Sequence, residues 1–283
     1  MDSPMLKIAV PNKGSLSESA QQMLSEAGYR QRGGRELVLD DPDNGVEFFY
    51  LRPRDIAVYV GEGTLDVGIT GRDLLLDSGA PAREVMPLGF GQSRFRFAAV
   101  PGTVADISSL QDKRIATSYK GVVTSFLEQR GIAAHVVRLD GAVESAVRLG
   151  VADVIADVVS TGTTLRQAGL EILGDVILES EAVLISRERD EPTGLDVFMR
   201  RLQGVIVART YVMMDYDIRV EHAEKAVEVT PGFESPTVSP LHREGWVAVR
   251  SMVPRVQAQK VMDDLWELGA RAILVTDIHA CRL

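Results

Sequence analysis

The segment that most constrains the fold is residues 150–165, GVADVIADVVSTGTTL, in which an apolar run leads into a loop of small polar residues. Its β-branched apolar residues at 154–155 and 158–159 are typical of a parallel strand covered on both faces. The hydroxyl and glycine residues at 160–164 then bring unpaired backbone N–H groups to the start of a helix. The segment therefore predicts an α/β unit whose loop suits a phosphate group.

Two aspartates of this segment are candidates to bind a sugar next to the phosphate. Asp157 comes just before the loop and is placed to accept hydrogen bonds from sugar hydroxyls. Asp157 and the loop together therefore suit a ribose 5-phosphate. Asp153 shares a strand face with Asp157, but it lies further from the carboxyl end of the strand, where α/β proteins bind ligands. We therefore favour Asp157. The alternative for the loop is that Thr161 or Thr163 simply caps a helix.

Bulk properties narrow the class of protein. At 283 residues the chain has room for two or three domains, and a net charge of −9 argues against a nucleic-acid partner. The single cysteine, Cys281, excludes an internal disulfide and fits a reducing compartment. No apolar run is long enough to span a membrane and the start lacks signal-peptide features, so we expect a cytoplasmic protein. The four histidines show no metal-ligand spacing.

The first two thirds alternate strand-like and helix-like segments, which predicts a mainly parallel α/β sheet. Residues 63–71 resemble 150–157, since both run from a helix end through an aspartate and a buried strand to a polar turn. This echo predicts two similar lobes facing a cleft, with 90–100 and 179–187 crossing between them. The elements predicted in the first 70 residues are strands 6–10, 46–51 and 66–70 and helices 15–27 and 54–60.

The last third has a different order of elements. A helix at 193–209 carries an apolar stripe and precedes a β-α-β-β-α-β series, which is the ferredoxin-like order. The pattern fits either a domain for a regulatory ligand or a dimerisation module. The predicted elements of the series are strand 211–217, helix 220–229, strands 235–241 and 246–254, helix 256–268 and strand 272–278.

Six segments in order resemble one known family, the long form of ATP phosphoribosyltransferase. They are VPNKGSL at 10–16, LRPRDI at 51–56, LDVGITGRD at 65–73, RLDGAVE at 138–144, ADVVSTGTTL at 156–165 and TPGFESPTV at 230–238. The resemblance implies a two-lobed α/β catalytic core of the type II periplasmic-binding-protein-like kind, followed by a ferredoxin-like, ACT-like regulatory domain. The implied domains are lobe I at 1–92 with a return segment at 184–209, lobe II at 93–183, and the regulatory domain at 210–283.

The resemblance also implies an activity. Such an enzyme transfers phosphoribosyl from phosphoribosyl pyrophosphate to N1 of ATP and releases pyrophosphate, as the first step of histidine biosynthesis. Histidine inhibits it by feedback at the regulatory domain, and the chains form dimers and hexamers. We expect Mg²⁺ as cofactor, carried by the substrate rather than by protein ligands.

Site residues follow from the matching positions. The resemblance implies that Lys13 and Arg52 are catalytic, near the pyrophosphate and triphosphate groups. The remaining residues implied are Asp157, Ser160, Thr161, Gly162, Thr163 and Thr164 for phosphoribosyl pyrophosphate, Asp73, Tyr119, Asp140 and Glu144 for ATP, and Asp217, Phe233, Ser235, Thr237 and Ala272 for histidine.

Three of these residues have a plainer alternative. Lys13 is otherwise a solvated loop lysine, Arg52 a salt-bridge partner of Asp55, and Asp73 a helix N-cap. Phe233 departs from the family, which commonly has leucine there, so the histidine pocket is expected to differ in shape.

Three rival functions are weighed against this interpretation. A solute-binding protein needs no phosphate loop, and a catalytically dead relative would not need the lysine, arginine, aspartate and loop that this chain keeps. The main class of other phosphoribosyltransferases has two adjacent acids before its loop, whereas Asp157 stands alone. Adenine N1 is neutral with a free lone pair at pH 7, so we expect no general base and no covalent enzyme intermediate.

Overall fold

The structure, a computed structural model, describes residues 5–34, 36–159, 162–188 and 191–282. The chain divides into two compact units. The larger contains the chain up to Gln22 and the stretch Tyr29–Leu195, and the smaller contains Met23–Gly28 and the chain from Asp196 onward. No helix in the described ranges combines the length and apolar character that crossing a membrane requires.

The elements are numbered in chain order. The strands are β1 (Leu6–Pro11), β2 (Val38–Asp41), β3 (Val46–Leu51), β4 (Val67–Gly71), β5 (Ala82–Pro87), β6 (Ser93–Ala99), β7 (Arg114–Thr117), β8 (His135–Arg138), β9 (Val154–Val159), β10 (Glu171–Ser180), β11 (Ala182–Arg187), β12 (Tyr211–Arg219), β13 (Thr237–Pro240), β14 (Trp246–Pro254) and β15 (Arg271–Asp277). The α-helices are α1 (Ser15–Glu26), α2 (Pro53–Gly61), α3 (Arg72–Ser78), α4 (Lys120–Glu128), α5 (Thr163–Gln167), α6 (Leu195–Thr210), α7 (Ala223–Val229) and α8 (Ala258–Glu267).

The larger unit contains two sheets. The first has the order β2-β3-β1-β4-β11-β5 and forms what we term the first lobe; the second has the order β10-β6-β9-β7-β8 and forms the second lobe. The chain passes from the first lobe to the second between β5 and β6, and it returns between β10 and β11. These are the two crossings that the sequence predicts. The finer domain boundaries at 92, 183 and 209 stay predictions.

Both sheets are mixed, so the prediction of a mainly parallel sheet was wrong. Each lobe has a parallel centre: β3, β1 and β4 in the first, and β8, β7 and β9 in the second. Antiparallel strands flank these centres, because β6 and β11 enter their sheets directly from the crossings rather than after a helical crossover.

The strand β9 is covered on both faces, as its sequence predicts. Val154 and Ala156 pack in a cluster with Phe97 and Phe126, whereas Ile155 packs in a second cluster with Leu165 on the opposite face. The end of the strand differs from expectation, since Val158 is 37% exposed. Val158 therefore faces a cavity at the carboxyl end of β9, whereas Val159 stays buried in the core.

In the smaller unit, β12 to β15 form a four-stranded antiparallel sheet with the order β13-β14-β12-β15. This order and the β-α-β-β-α-β sequence are ferredoxin-like, as predicted. Alternate residues of β12, such as Met214 and Tyr216, are buried in a core with Leu265 of α8. The other face of β12 is only partly covered, and its residues include Asp215 and Asp217. Short 3₁₀ turns at Val220–His222 and Arg255–Gln257 begin the two predicted helices.

Candidate active site

A cavity of about 630 Å³ opens between the two lobes of the larger unit. Its volume falls in the range of small-molecule sites, roughly 300–1,000 Å³. Both lobes contribute to its walls, which are formed by Lys13, Gly14, Arg52, Pro53, Arg54, Asp55, Leu74, Ser118, Tyr119 and Asp140. Both predicted catalytic residues and two of the predicted ATP residues are therefore in one cavity.

Parallel strand pairing brings the first-lobe cations together. Strands β1 and β3 are in register, with Pro11 opposite Leu51. Lys13 and Arg52 follow the carboxyl ends of these strands, the edge at which α/β sheets bind ligands. Arg52 is the N-cap residue of α2 in an extended conformation, and Pro53 starts the helix. The local fold thus places two cations at the mouth of one lobe.

On the second lobe, Tyr119 begins α4 and packs against aromatic and cationic groups. Its ring lies edge-on to Phe95 at 5.1 Å, and the guanidinium carbon of Arg54 lies 4.6 Å from its centre. Burial raises the pKa of the Tyr119 hydroxyl, and the nearby Asp73 carboxylate raises it further, while Arg54 lowers it. The hydroxyl therefore stays protonated at neutral pH and is a hydrogen-bond donor.

Asp73 lies in the first turn of α3 and is buried, being 8% exposed. The N-cap of this helix is Gly71, so the N-cap alternative for Asp73 was wrong. Its carboxylate accepts a hydrogen bond of 2.9 Å from the Ser180 hydroxyl, which in turn accepts one of 3.0 Å from the Asp73 backbone N–H. This pairing holds Asp73 beside Tyr119 at the crossing between β10 and β11.

A smaller cavity of about 160 Å³ lies at the end of β9, in the second lobe. Burial raises the pKa of the Asp157 carboxyl; the Val158 backbone N–H, which donates to it at 2.8 Å, lowers the pKa, and the charge of Glu144 raises it. The walls of the cavity are formed by Glu144, Asp157, Val158, Val159, Gly162, Thr164 and Leu165. A partly buried acid and the start of a helix thus meet in one cavity.

The predicted loop is only partly described. Ser160 and Thr161 lie outside the described residues. Gly162 is the N-cap of α5, with φ of 69° and no capping side chain, so the alternative in which Thr163 caps this helix was wrong. Thr163 is not among the cavity-lining residues, and its hydroxyl lies 3.4 Å from Arg166.

Asp153, the alternative to Asp157, lies at the opposite end of the segment and has a different environment. Its carboxylate contacts the Arg114 guanidinium at 2.8 Å and accepts a hydrogen bond from the Arg114 backbone N–H at 3.0 Å. These contacts lower the pKa of Asp153 to about 2. The structure therefore gives Asp153 a partner in β7, whereas Asp157 faces a cavity.

We expect Asp153→Asn to lower stability slightly at pH 7 without changing activity. Because the pKa of Asp153 is lower in the folded chain, its ion pair stabilises the fold above the ordinary aspartate pKa. That contribution is lost as the pH falls towards 2. Urea unfolding at pH 7 and at pH 2–3 measures the difference. A destabilisation that is larger at the acidic pH would contradict this assignment.

Arg54 and Ser118 line the large cavity, and neither was predicted from the sequence. Arg54 belongs to the LRPRDI segment that carried Arg52, and it stands in the first turn of the same helix. Two arginines flanking the proline at a helix start were a signal that both face one site. Ser118 offered no comparable signal.

In the smaller unit, the predicted histidine-binding residues lie on or near the open face of the sheet. Asp217 is partly covered on β12 and stands opposite Ala248 and Arg271. The pairing of β12 with β15 is irregular beside it, and Ala272 there has φ of 51°, which is unusual for a residue with a side chain. The Phe233 ring lies edge-on to Tyr211 at 5.5 Å, and Thr237 pairs with Arg250 in β13 and β14.

The family profile described as ATP phosphoribosyltransferase matches residues 52–204, and the profile described as HisG, C-terminal domain, matches residues 208–280. Curated proteins named ATP phosphoribosyltransferase from Streptomyces coelicolor and Pseudarthrobacter chlorophenolicus are each 66% identical to this chain. Each match covers 99% of this chain and 100% of the relative. This chain belongs to the ATP phosphoribosyltransferase family.

A solved structure supports the same conclusion. The structure titled as the ATP phosphoribosyl transferase (HisG:HisZ) complex from Thermotoga maritima has a TM-score of 0.62 and 30% sequence identity. It covers 71% of this chain and 98% of its own chain. The predicted fold class, a two-lobed α/β core with a C-terminal ferredoxin-like domain, is confirmed. As an ATP phosphoribosyltransferase the chain is a pentosyltransferase, and its family acts in the first step of histidine biosynthesis.

Proposed function

We propose that this chain joins C1 of phosphoribosyl pyrophosphate to N1 of the adenine of ATP. The bond between N1 and C1 forms as the bond between C1 and the pyrophosphate oxygen breaks, and the bonding pair leaves with pyrophosphate. The observation that carries the proposal is the large cavity, in which Lys13 and Arg52 of one lobe face Tyr119 and Asp140 of the other. The small cavity is close to it, because the charge of Arg54 in the wall of the large cavity acts on the Asp157 carboxyl in the small one.

The cations of the first lobe fit the charge of these substrates. Both substrates carry several negative charges, and bringing them together requires positive charge at the place where they meet. Lys13, Arg52 and Arg54 supply it on one wall. The pyrophosphate gains charge as it leaves, so a cation fixed near that group favours the transition state over the ground state.

The small cavity fits the phosphoribosyl group. We propose that Asp157 binds the ribose hydroxyls, and that the 5-phosphate lies on the loop of residues 160–164. A carboxylate that is partly desolvated before the substrate arrives loses little further hydration when hydroxyl donors pair with it. Asp73 and Asp140 are proposed on the ATP side, since Asp73 lies beside Tyr119 and Asp140 lines the large cavity. Glu144, which the resemblance also assigns to ATP, lines the small cavity with Asp157.

No general base is needed, because adenine N1 has a free lone pair at neutral pH. Tyr119 stays protonated and acts as a hydrogen-bond donor. The proposed catalysis therefore rests on orientation of the two substrates and on charge stabilisation. A phosphoribosyl-enzyme species trapped by rapid quenching would contradict this mechanism.

Mg²⁺ is proposed to enter with the substrate phosphates, whose oxygens are ligands that it prefers. In the described residues no group of three or more His, Cys, Asp or Glu side chains is placed to hold a metal ion, which agrees with an ion carried by the substrate. When bound with the substrate, Mg²⁺ would offset the charge that develops on the pyrophosphate. We propose that the transfer reaction requires Mg²⁺.

The deciding experiment measures pyrophosphate release from ATP and phosphoribosyl pyrophosphate with Mg²⁺, in the presence of pyrophosphatase. We expect turnover in the unmodified chain and a loss of roughly 10²-fold or more in Lys13→Ala, because the transition state loses a cation. Lys7→Ala is the matched control, since Lys7 is exposed on β1 away from the cavity. An inactive unmodified chain, or equal activity in both variants, would overturn the proposal.

We further propose that the smaller unit binds histidine and that this binding inhibits turnover. Asp217, Phe233, Ser235, Thr237 and Ala272 are the proposed contacts. Asp217 is partly covered on an otherwise open sheet face, and a carboxylate there suits the amine or imidazolium of the ligand. Chains are proposed to assemble as dimers and hexamers in the cytoplasm, and mass measurement with and without histidine tests the assembly.

Asp217→Ala is expected to relieve inhibition by histidine while leaving uninhibited turnover unchanged, because it removes the proposed anionic contact. Asp215→Ala is the control, since Asp215 lies on the same face but pairs with Arg250 at 2.7 Å. The measurement is the histidine concentration that halves turnover in each variant. If Asp217→Ala keeps the sensitivity of the unmodified chain, Asp217 does not contact the ligand.

A further inference from the structure

Asp77, in the last turn of α3, joins elements from opposite walls of the large cavity. Its Oδ2 lies 3.2 Å from Nη1 of Arg54 in the first lobe. Its Oδ1 accepts hydrogen bonds from the backbone N–H groups of Gly121 at 2.7 Å and Val122 at 3.4 Å, in the first turn of α4 in the second lobe. The side chain is 10% exposed. One carboxylate therefore pairs with a cation and with two N–H groups that the helix itself cannot satisfy.

The neighbours of Asp77 are parts of the cavity wall. Arg54 lines the cavity and lies over the Tyr119 ring, and Tyr119 is the residue from which α4 starts. An arginine side chain samples many rotamers unless its partners fix it. The ion pair to Asp77 and the ring contact hold the guanidinium at one position between the lobes.

We propose that Asp77 is a positioning residue, which holds Arg54 and the Tyr119 end of α4 in the arrangement that receives the nucleotide. The inference rests on the proposed function, because that function assigns ATP to this cavity. It also carries a consequence for recognition. Since Asp77 occupies the N–H groups at the start of α4, the anionic groups of the nucleotide are met by side chains such as Arg54 rather than by that helix terminus.

Asp77→Asn separates the two contacts. Asparagine keeps an oxygen that accepts from the Gly121 N–H, but it has no charge to hold Arg54. We expect the KM for ATP to rise about tenfold, with kcat changed less than about threefold and the KM for phosphoribosyl pyrophosphate almost unchanged. A purely structural role would instead reduce the active fraction, which lowers kcat and leaves KM unchanged.

A double-mutant cycle with Arg54→Ala tests whether Asp77 acts through Arg54. In the Arg54→Ala background, Asp77→Asn should cause little further rise in the KM for ATP. Asp153→Asn is the control, because it removes the charge of an aspartate that also pairs with an arginine and a backbone N–H, but far from the cavity. It should leave the KM unchanged.

The outcomes separate this inference from the proposed function. If the unmodified chain turns over ATP but Asp77→Asn leaves its KM unchanged, or if the two substitutions add independently, the positioning role is overturned while the function stands. If the unmodified chain shows no turnover, the proposed function fails, and the positioning role fails with it.

Discussion

Asp157→Asn is expected to lower turnover by roughly 10²-fold or more without destabilising the chain, because one polar contact to the reacting sugar is lost. The effect on stability follows from the raised pKa of this partly buried carboxyl. An acid whose pKa is higher in the folded chain costs stability when ionised. That cost is absent below the ordinary aspartate pKa and complete above the raised one. The asparagine variant should therefore match the parent at pH 3–4 and equal or exceed its stability at pH 7.

The measurements are pyrophosphate release and urea unfolding at both pH values. Asp153→Asn is the matched control, four residues earlier on the same strand. It should respond in the opposite way, with lower stability at pH 7 and normal turnover. If Asp157→Asn retained turnover, or if it lost stability as Asp153→Asn does, Asp157 would be a structural residue instead of a substrate contact.

Gly121→Ala is expected to destabilise the larger unit by about 1–3 kcal/mol and to raise the KM for ATP, because the added methyl group overfills the close contact between α3 and α4. A Cβ atom at this position would lie 2.5 Å from the backbone carbonyl oxygen of Asp77 and 3.2 Å from two other backbone atoms of that residue. Backbone atoms cannot move aside as a flexible side chain can. The two elements that would have to separate, α3 and α4, adjoin the cavity wall formed by Arg54 and Tyr119.

The sign of the change in stability distinguishes an effect on packing from an effect on helix propensity. Alanine is a better helix former than glycine by about 1 kcal/mol, so without the close approach the substitution would stabilise α4. Gly33→Ala is the control, since nothing lies within 4 Å of a Cβ there. Thermal unfolding and ATP kinetics of both variants provide the test. A Gly121→Ala variant as stable as its parent, with normal KM for ATP, would show that the contact between α3 and α4 tolerates the methyl group.

Much of the fold could be predicted because it depends on local pattern. The order of strand-like and helix-like segments identified the β-α-β-β-α-β series of the smaller unit. The β-branched residues at 154–155 and 158–159 identified a strand covered on both faces. The proportion of parallel strands could not be predicted, because strands β6 and β11 have the same composition whichever way they run. Their direction is set by the crossings between the lobes.

Lys13 and Arg52 were predicted from the resemblance to a family, not from local pattern. The structure supplies a physical reason for their proximity, because both follow the carboxyl ends of the parallel strands β1 and β3. Asp77 and Gly121 had no such signal, because their contact joins a helix end in one lobe to a helix start in the other. The same holds for the contact of Arg54 with the Tyr119 ring. Such pairs are set by how the lobes pack, which no local pattern encodes.

The strand order of the first lobe has a consequence for how the chain folds. Strand β11 lies between β4 and β5, although it follows them in the chain after the whole second sheet. During synthesis, β4 and β5 therefore emerge long before the strand that separates them, and the buried apolar edge of β4 stays unpaired. The first lobe closes only after the second has been made, so we expect slow, non-local final assembly, with an aggregation-prone intermediate that a chaperone would protect.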